Sequence, residues 1–352
     1  MLTTCIGAYP KPHYLKLPDW FRDADGPDGA DPTRDWAAAW RALGDGAEAV
    51  VRRAIKEVIA DQVGCGIHIP TDGEVRRENY IHYHCRHLHG VDFNRLGRRQ
   101  LRNGAYTARL PTITGRVRAG KPFLAAEWRA AQSFTRRPLK VTMPGPMTIT
   151  DTTANEHYAT PAAQGADLAA ALNSEVRALS AAGCRQVQID EPLFARKPEA
   201  ALAYGIDHLA AAMHGCGPAT TVTVHICCGY PDALDNPDYP KADPGAYLQL
   251  AEALDRSPVH AVSLEDAHRP NDLKLLESFR RATVILGTVA IAKSRVESVD
   301  EIEQRLRAAL RHIDRRRLMA APDCGLGLLP RGIILAKLKN LCEAARAIGG
   351  RA

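Results

Sequence analysis

The chain has 352 residues, 45% of them hydrophobic, with a formal net charge of +6. That is enough to bury a full core as one large barrel or two ordinary domains, and no linker composition divides it. No apolar stretch approaches the ~18 residues of a membrane span, no signal peptide precedes the first motif, and the arginines are spread along helical pattern instead of interleaved with aromatics, which argues against nucleic acid.

In chain order, residues 20–32 read as a polar loop rich in glycine and proline, and a helix is predicted over 36–63. A strand ends near Thr71, and the stretch 78–93 that follows is dense in histidine and tyrosine. Residues from about 95 to 140 read as an excursion of short strands with a helix around Trp128. Beyond it, strand and helix patterns alternate: helix 161–182, strand 184–190, helix 197–216, strand 219–227, helix 244–256, strand 260–265, helix 272–281, strand 283–289, helix 298–313, strand 318–324 and helix 331–347. This alternation predicts parallel β/α units, and Ser298 with Glu301 three residues on marks a capping box. The fold class expected is α/β, a single (β/α)8 TIM-type barrel over residues 1–352 with an irregular N-terminal excursion.

Four scattered residues stand at or just past the ends of the short strand-like runs: His225, Cys227, Glu265 and Cys324. Parallel barrels place their chemistry at such ends. Two thiolates, an imidazole and a carboxylate suit a tetrahedral zinc ion, whereas the plainer reading makes each cysteine a small buried hydrophobe. Nine cysteines without a small-domain framework read as reduced thiols in a cytoplasmic protein. The run His82-Tyr-His-Cys-Arg-His87 offers His82 and His84 as proton carriers near neutral pH, or else a partly solvated helix face. Asp151, with Glu156, His157 and Tyr158, is a candidate for the pocket of a second substrate, or else belongs to a polar loop.

The stretches Thr4-Cys-Ile-Gly-Ala-Tyr-Pro-Lys-Pro12, Thr71-Asp-Gly-Glu-Val-Arg-Arg77, Pro144-Gly-Pro-Met-Thr148, Val187-Gln-Ile-Asp-Glu-Pro192, Val224-His-Ile-Cys227, Val262-Ser-Leu-Glu265 and Ala321-Pro-Asp-Cys-Gly-Leu326 resemble, in this order, the catalytic domain of cobalamin-independent methionine synthase. The resemblance spans nearly the whole chain and fits the short, single-barrel form. It implies that His225, Cys227, Glu265 and Cys324 hold Zn2+, which binds the substrate thiol and lowers its pKa. It further implies that Glu74 and Asp190 grip the ammonium of homocysteine. Glu191 joins the substrate-binding set beside Asp190, and backbone groups of the Ile6-Gly-Ala8 turn meet the substrate carboxylate. The alternative for the two carboxylates is pairing with local arginines such as Arg76, or helix capping.

Three departures bear on the methyl donor. Where the family carries Asp and a proton-donating His, this chain has Ala290 and Ala292; the segment after Pro146 lacks the tryptophan that stacks the pterin; and there is one barrel where the large enzymes have two. The expected activity is therefore methylation of a small thiol, homocysteine first, from 5-methyltetrahydrofolate or another carrier. The other readings are a different thiol or electrophile (coenzyme M with an epoxide, or a demethylation), a silent metal-binding accessory subunit, and a metal-free uroporphyrinogen-decarboxylase-like enzyme. Neither nucleic acid nor membrane is an expected partner, and a homodimer is allowed.

Overall fold

The computed structural model describes residues 1–19, 32–101, 106–230, 233–236 and 239–349; the loop expected at 20–32 lies almost wholly outside them. Among the described residues, nine strands form two sheets. A parallel sheet runs in the order β3 (Lys140–Pro144), β5 (Gln186–Asp190), β6 (Thr221–Ile226), β7 (Ala261–Leu264), β8 (Thr283–Val289), β9 (Leu318–Pro322). The remaining strands, β1 (Leu88–Leu101), β2 (Tyr106–Ala119) and β4 (Ala154–Asn155), make a small sheet of their own. At its open edges the parallel sheet continues through single parallel bridges, Thr3 to Ala320, Thr4 to Ile69 and Thr71 to Lys140.

Alternation along these strands decides what each face carries. Val141, Met143, Val187, Ile189, Val222, Val224, Val262, Leu264, Val284 and Leu286 all join one buried apolar cluster with the helix Pro161–Ala181. Strands buried on both faces are usually apolar throughout. Here the intervening residues, Lys140, Thr142, Gln188, Asp190, Thr223, His225 and Ser263, are buried and polar. A separate small apolar cluster, Ile6, Ala261, Ile285 and Ala321, plugs the same inner face. Asp190, His225 and Ser263 stand at or near the C-terminal ends of β5, β6 and β7, whereas Lys140 opens β3; such inward polar groups cost stability unless they meet partners or a ligand.

Helices follow the strands as the pattern predicts, with several corrections. The helix expected at 36–63 is two, Pro32–Ala42 and Ala47–Cys65, parted by a tight turn at Gly44–Gly46. The helix expected at 197–216 starts at Pro198, in the first turn where a missing N–H costs nothing, and runs through a wide turn at Ala201–Gly205 to end at Met213. The segment expected as helix 272–281 is only a 3₁₀ stretch, Leu273–Ser278. The excursion also differs: its strands are long rather than short, 14 residues each, and pair as an antiparallel ribbon beginning at Leu88. The capping box at Ser298 and Glu301 forms as expected. Among the described residues no helix is long and apolar enough to cross a membrane, and all nine cysteines are free.

Candidate active site

Three of the four residues singled out at strand ends converge directly. The ligand atoms of His225, Cys227 and Cys324 all lie within 4.8 Å of one another. His225 Nε2 stands 3.4 Å from Cys324 Sγ, while its Nδ1 meets Ser263 Oγ at 3.0 Å; that second contact fixes the ring so that Nε2 faces the sulfurs. Glu265 joins through a hydrogen bond with Cys227, which also bonds to Cys324.

The electrostatics of this group are those of donors without a cation. Its bond with Cys324 and then burial push the Cys227 thiol well above its usual range. Cys227 bonding favours the Cys324 thiolate, yet burial and Glu265 outweigh it and raise that thiol too. Burial, then Cys227, drives the Glu265 carboxyl well up, and burial lowers His225 to about 3. A divalent ion among one nitrogen, two sulfurs and one carboxylate oxygen would reverse the rise of the two thiols and the carboxyl and would keep His225 in the neutral form that ligates, and the donor set suits tetrahedral coordination.

Asp323 anchors the loop that carries Glu265. Its carboxylate accepts from the backbone N–H groups of Asp266 and Ala267, both at 2.9 Å, and of His268 at 2.7 Å, so Cys324 and the turn after β7 are tied through one side chain. His268 in turn accepts at Nε2 from the N–H groups of Ile291 and Ala292, at 3.0 and 3.2 Å, which leaves its proton on Nδ1. An imidazole thus lies against the backbone where the family histidine was expected and Ala292 stands.

A second group lies alongside. Glu74 adopts a left-handed φ of +55°, a conformation that costs about 1 kcal/mol or more in a residue with a side chain. Asp72 Oδ1, accepting from Glu74 N–H at 3.0 Å, and Arg77 N–H, donating to Glu74 O at 2.9 Å, hold it there. Its Oε1 accepts from Thr142 Oγ1 at 2.7 Å and lies 3.5 Å from Arg77 Nη1. A Cβ at Gly7 would stand 2.6 Å from that oxygen, so the turn from Ile6 to Ala8 presses its backbone onto the carboxylate. Leu326 N–H donates to Ala8 O at 2.7 Å, which sets this turn beside the Cys324 loop.

Asp190, at the end of β5, accepts from Gln188 Nε2 at 2.7 Å. Burial, then the charge of Glu74, raises its carboxyl well above the ordinary range, and burial raises Glu74 despite Arg77 and Thr142. Two carboxylates raised by burial, one of them further by the other's charge, can be relieved by a bound ammonium. The alternative of a local arginine for Glu74 is met by Arg77 at 3.5 Å, while Arg76 itself pairs with Glu48 at 2.8 Å. A pocket lined in part by Ala8, Lys11, Glu74, Arg77, Asn79 and Tyr80 opens here. Burial, then the charge of Asp190, raises the Tyr80 phenol well above its ordinary range, with smaller contributions from Cys227 and Cys324, so this ring lies within electrostatic range of both groups.

Other expected participants are engaged elsewhere. His82 donates from Nε2 to Thr152 O at 3.0 Å and accepts from Thr33 Oγ1 at 2.6 Å, so neither nitrogen is open to a substrate, and burial lowers its pKa to about 4. His84 donates from Nδ1 to Tyr80 O at 2.6 Å and packs against Phe123; burial keeps it neutral. Asp151 pairs with Lys197 at 2.5 Å. Glu191 has both oxygens occupied by the N–H groups of Met147 and Thr148, each at 2.9 Å, and the Thr148 hydroxyl at 2.7 Å, so it caps the helix Pro146–Asp151 instead of facing substrate. The sequence reading missed Tyr80, Asp323, Lys140 and Gln188. Gln188 was within reach, since it shares a strand face with Asp190 two residues on.

Residues 33–347 match the family described as cobalamin-independent synthase, catalytic domain. The chain belongs to this family, and with it to the methyltransferases. Similar curated proteins are the methionine synthase of Sulfolobus acidocaldarius, 29% identical over 97% of this chain and 90% of that protein, and that of Thermococcus kodakarensis, 28% identical over 98% and 93%. Among solved structures, a B12-independent methionine synthase from Shewanella sp. W3-18-1 in complex with selenomethionine superposes with a TM-score of 0.85 at 28% identity, covering 99% of this chain and 97% of that one. A methyltransferase from Methanosarcina mazei, 13% identical with a TM-score of 0.59 and covering 99% and 94%, shares the fold.

Proposed function

We propose that this chain is a zinc-dependent methyltransferase that methylates homocysteine to methionine, with 5-methyltetrahydrofolate or another methyl carrier as donor, in the cytoplasm. The observation that carries it is the meeting of His225, Cys227 and Cys324, their ligand atoms within 4.8 Å, beside a pair of buried carboxylates suited to an ammonium. Bound zinc would hold the substrate sulfur as a thiolate at neutral pH. Glu74 and Asp190 would grip the amino group and the backbone of Ile6 to Ala8 would face the carboxylate, so that the sulfur points to the cysteines and its path to the donor is fixed. The selenomethionine in the Shewanella relative, an analogue of such a product, supports an amino-acid site. We also read the inner sheet as a closed eight-staved barrel; the bridges through Thr3, Thr4, Ile69 and Thr71 support that closure.

Alanine at 290 and 292, in place of the family's Asp and His, favours an unusual donor. The test is zinc content by elemental analysis, together with methionine formation on the same sample from homocysteine with folate, methylcobalamin or small methylated compounds. One zinc per chain with methionine from any of these donors is the expected result. Zinc without methionine from any donor moves the assignment to another thiol or electrophile, and a metal-free protein overturns the zinc reading.

A further inference from the structure

Lys140 is 2% exposed and Gln188 is fully buried, both on the inner face of the parallel sheet. A lysine is almost never buried without a paired carboxylate. Among the described residues, however, the Lys140 ammonium has no carboxylate within ion-pair distance. Nζ instead donates to Gln188 Oε1 at 2.5 Å. The carboxamide then spends both N–H donors on the substrate pocket, one to Asp190 Oδ1 at 2.7 Å and one to Ile6 O at 2.9 Å.

A side-chain amide can turn over, exchanging its acceptor for its donors. The lysine, which can only donate, permits one sense alone. In that sense Gln188 tethers two elements at once, the carboxylate at the end of β5 and the backbone turn at Ile6, which come from distant parts of the chain. The carboxamide also separates the lysine's charge from the pocket. The ammonium acts at range on Asp190, favouring its ionised form, without itself occupying either carboxylate as an ion-pair partner.

We propose that Lys140 and Gln188 are positioning residues that make the pocket selective for a thiol carrying an α-amino group over the same thiol without one. The inference rests on the reading of Glu74 and Asp190 as the ammonium clamp. Lys140→Met frees the amide to turn. Gln188→Glu keeps an acceptor for the lysine but sets oxygen against Asp190 Oδ1 and Ile6 O. The experiment compares full-length wild type and both variants, checked for cooperative unfolding and for wild-type zinc content, in binding and turnover of homocysteine and of 4-mercaptobutanoate, which differs only by the amino group.

The expected result is that the preference for homocysteine shrinks by about tenfold or more, equivalent to ~1.4 kcal/mol of lost discrimination, through KM and Kd rather than kcat, while 4-mercaptobutanoate, which keeps only the carboxylate that the Ile6 turn faces, weakens much less than homocysteine. A merely structural role would weaken both thiols alike and leave their ratio unchanged. An unchanged ratio in either folded, zinc-replete variant overturns the inference. A wild-type enzyme that shows no preference for homocysteine overturns instead the clamp on which it depends.

Discussion

Gly287→Ala tests whether the loop bearing Glu265 and the turn bearing Cys324 are set by one buried contact. Gly287 lies opposite Ala321 in β8, just before the register shift to Val289 and Pro322. A Cβ there would stand 2.8 Å from Asp323 Cα and 3.1 Å from its Cγ, and closer still to Oδ1. Carbon atoms in contact sit ~3.5–4.0 Å apart, so Asp323 must retreat by roughly 0.5–1 Å, and the crowded atoms include backbone that cannot swing aside. Overpacking of this kind costs about 1–3 kcal/mol. At ~2.1 cal/mol/K per residue the unfolding entropy of 352 residues is about 0.7 kcal/mol/K, so Tm should fall by about 1–4 °C. The larger effect is on metal. Asp323 directly precedes Cys324 and holds residues 266–268 by three hydrogen bonds, and disturbing the partners that orient metal ligands typically costs about 10–100-fold in affinity. Calorimetric unfolding of the metal-free protein and zinc titration against a chelating dye measure the two separately. An alanine variant with unchanged Tm and unchanged zinc affinity would refute this account of the loop anchor.

Cys227→Ser and Cys324→Ser should each lower bound zinc and abolish methyl transfer, measured by elemental analysis and the methionine assay; full activity in either removes that cysteine from the centre. Glu74→Gln should weaken homocysteine binding by about tenfold, the worth of one charge-assisted hydrogen bond, with zinc retained, and loss of metal as well would show that Glu74 supports the structure instead. His82→Gln should flatten the acid limb of stability. Burial lowers the folded pKa of His82 from 6.5 to about 4, so between those values the unfolded chain takes up a proton that the folded chain refuses. Stability from this group therefore falls as pH falls, by up to ~1.4 kcal/mol per pH unit. Denaturant curves from pH 7 to pH 4.5 on both proteins give the difference, and parallel curves would show that His82 is not held neutral.

The parallel half of the fold was legible because strand-like apolar runs and helical periods alternate cleanly after residue 160; β8 was placed to the residue at Thr283–Val289, whereas β3 at Lys140–Pro144 was not singled out. The N-terminal half was harder to read for a physical reason. Its contributions at residues 3–4, 69 and 71 are single bridges, too short to show a strand period, while the ribbon of β1 and β2 carries arginines along both strands and blurs its own alternation. The break at Gly44–Gly46 is visible as residues, but whether a helix stops or merely bends there is decided by packing.

The same contrast runs through the site. His225, Cys227, Glu265 and Cys324 could be singled out because residue type and position at a strand end limit what each can do. Glu191 and His82 are equally suggestive as residues, and their environment gives them other work: a carboxylate that already accepts three hydrogen bonds, or an imidazole with both nitrogens spoken for, has no capacity left for a substrate. Spare capacity depends on what surrounds a group. Glu74 and Asp190 retain it because their protein partners leave two buried carboxylates under-compensated, each raised by burial and Asp190 further by Glu74. The energy needed to keep them so must be recovered when a cation arrives, which is why we place the amino group of the substrate there, and why a thiol lacking that group should gain little from the same pocket.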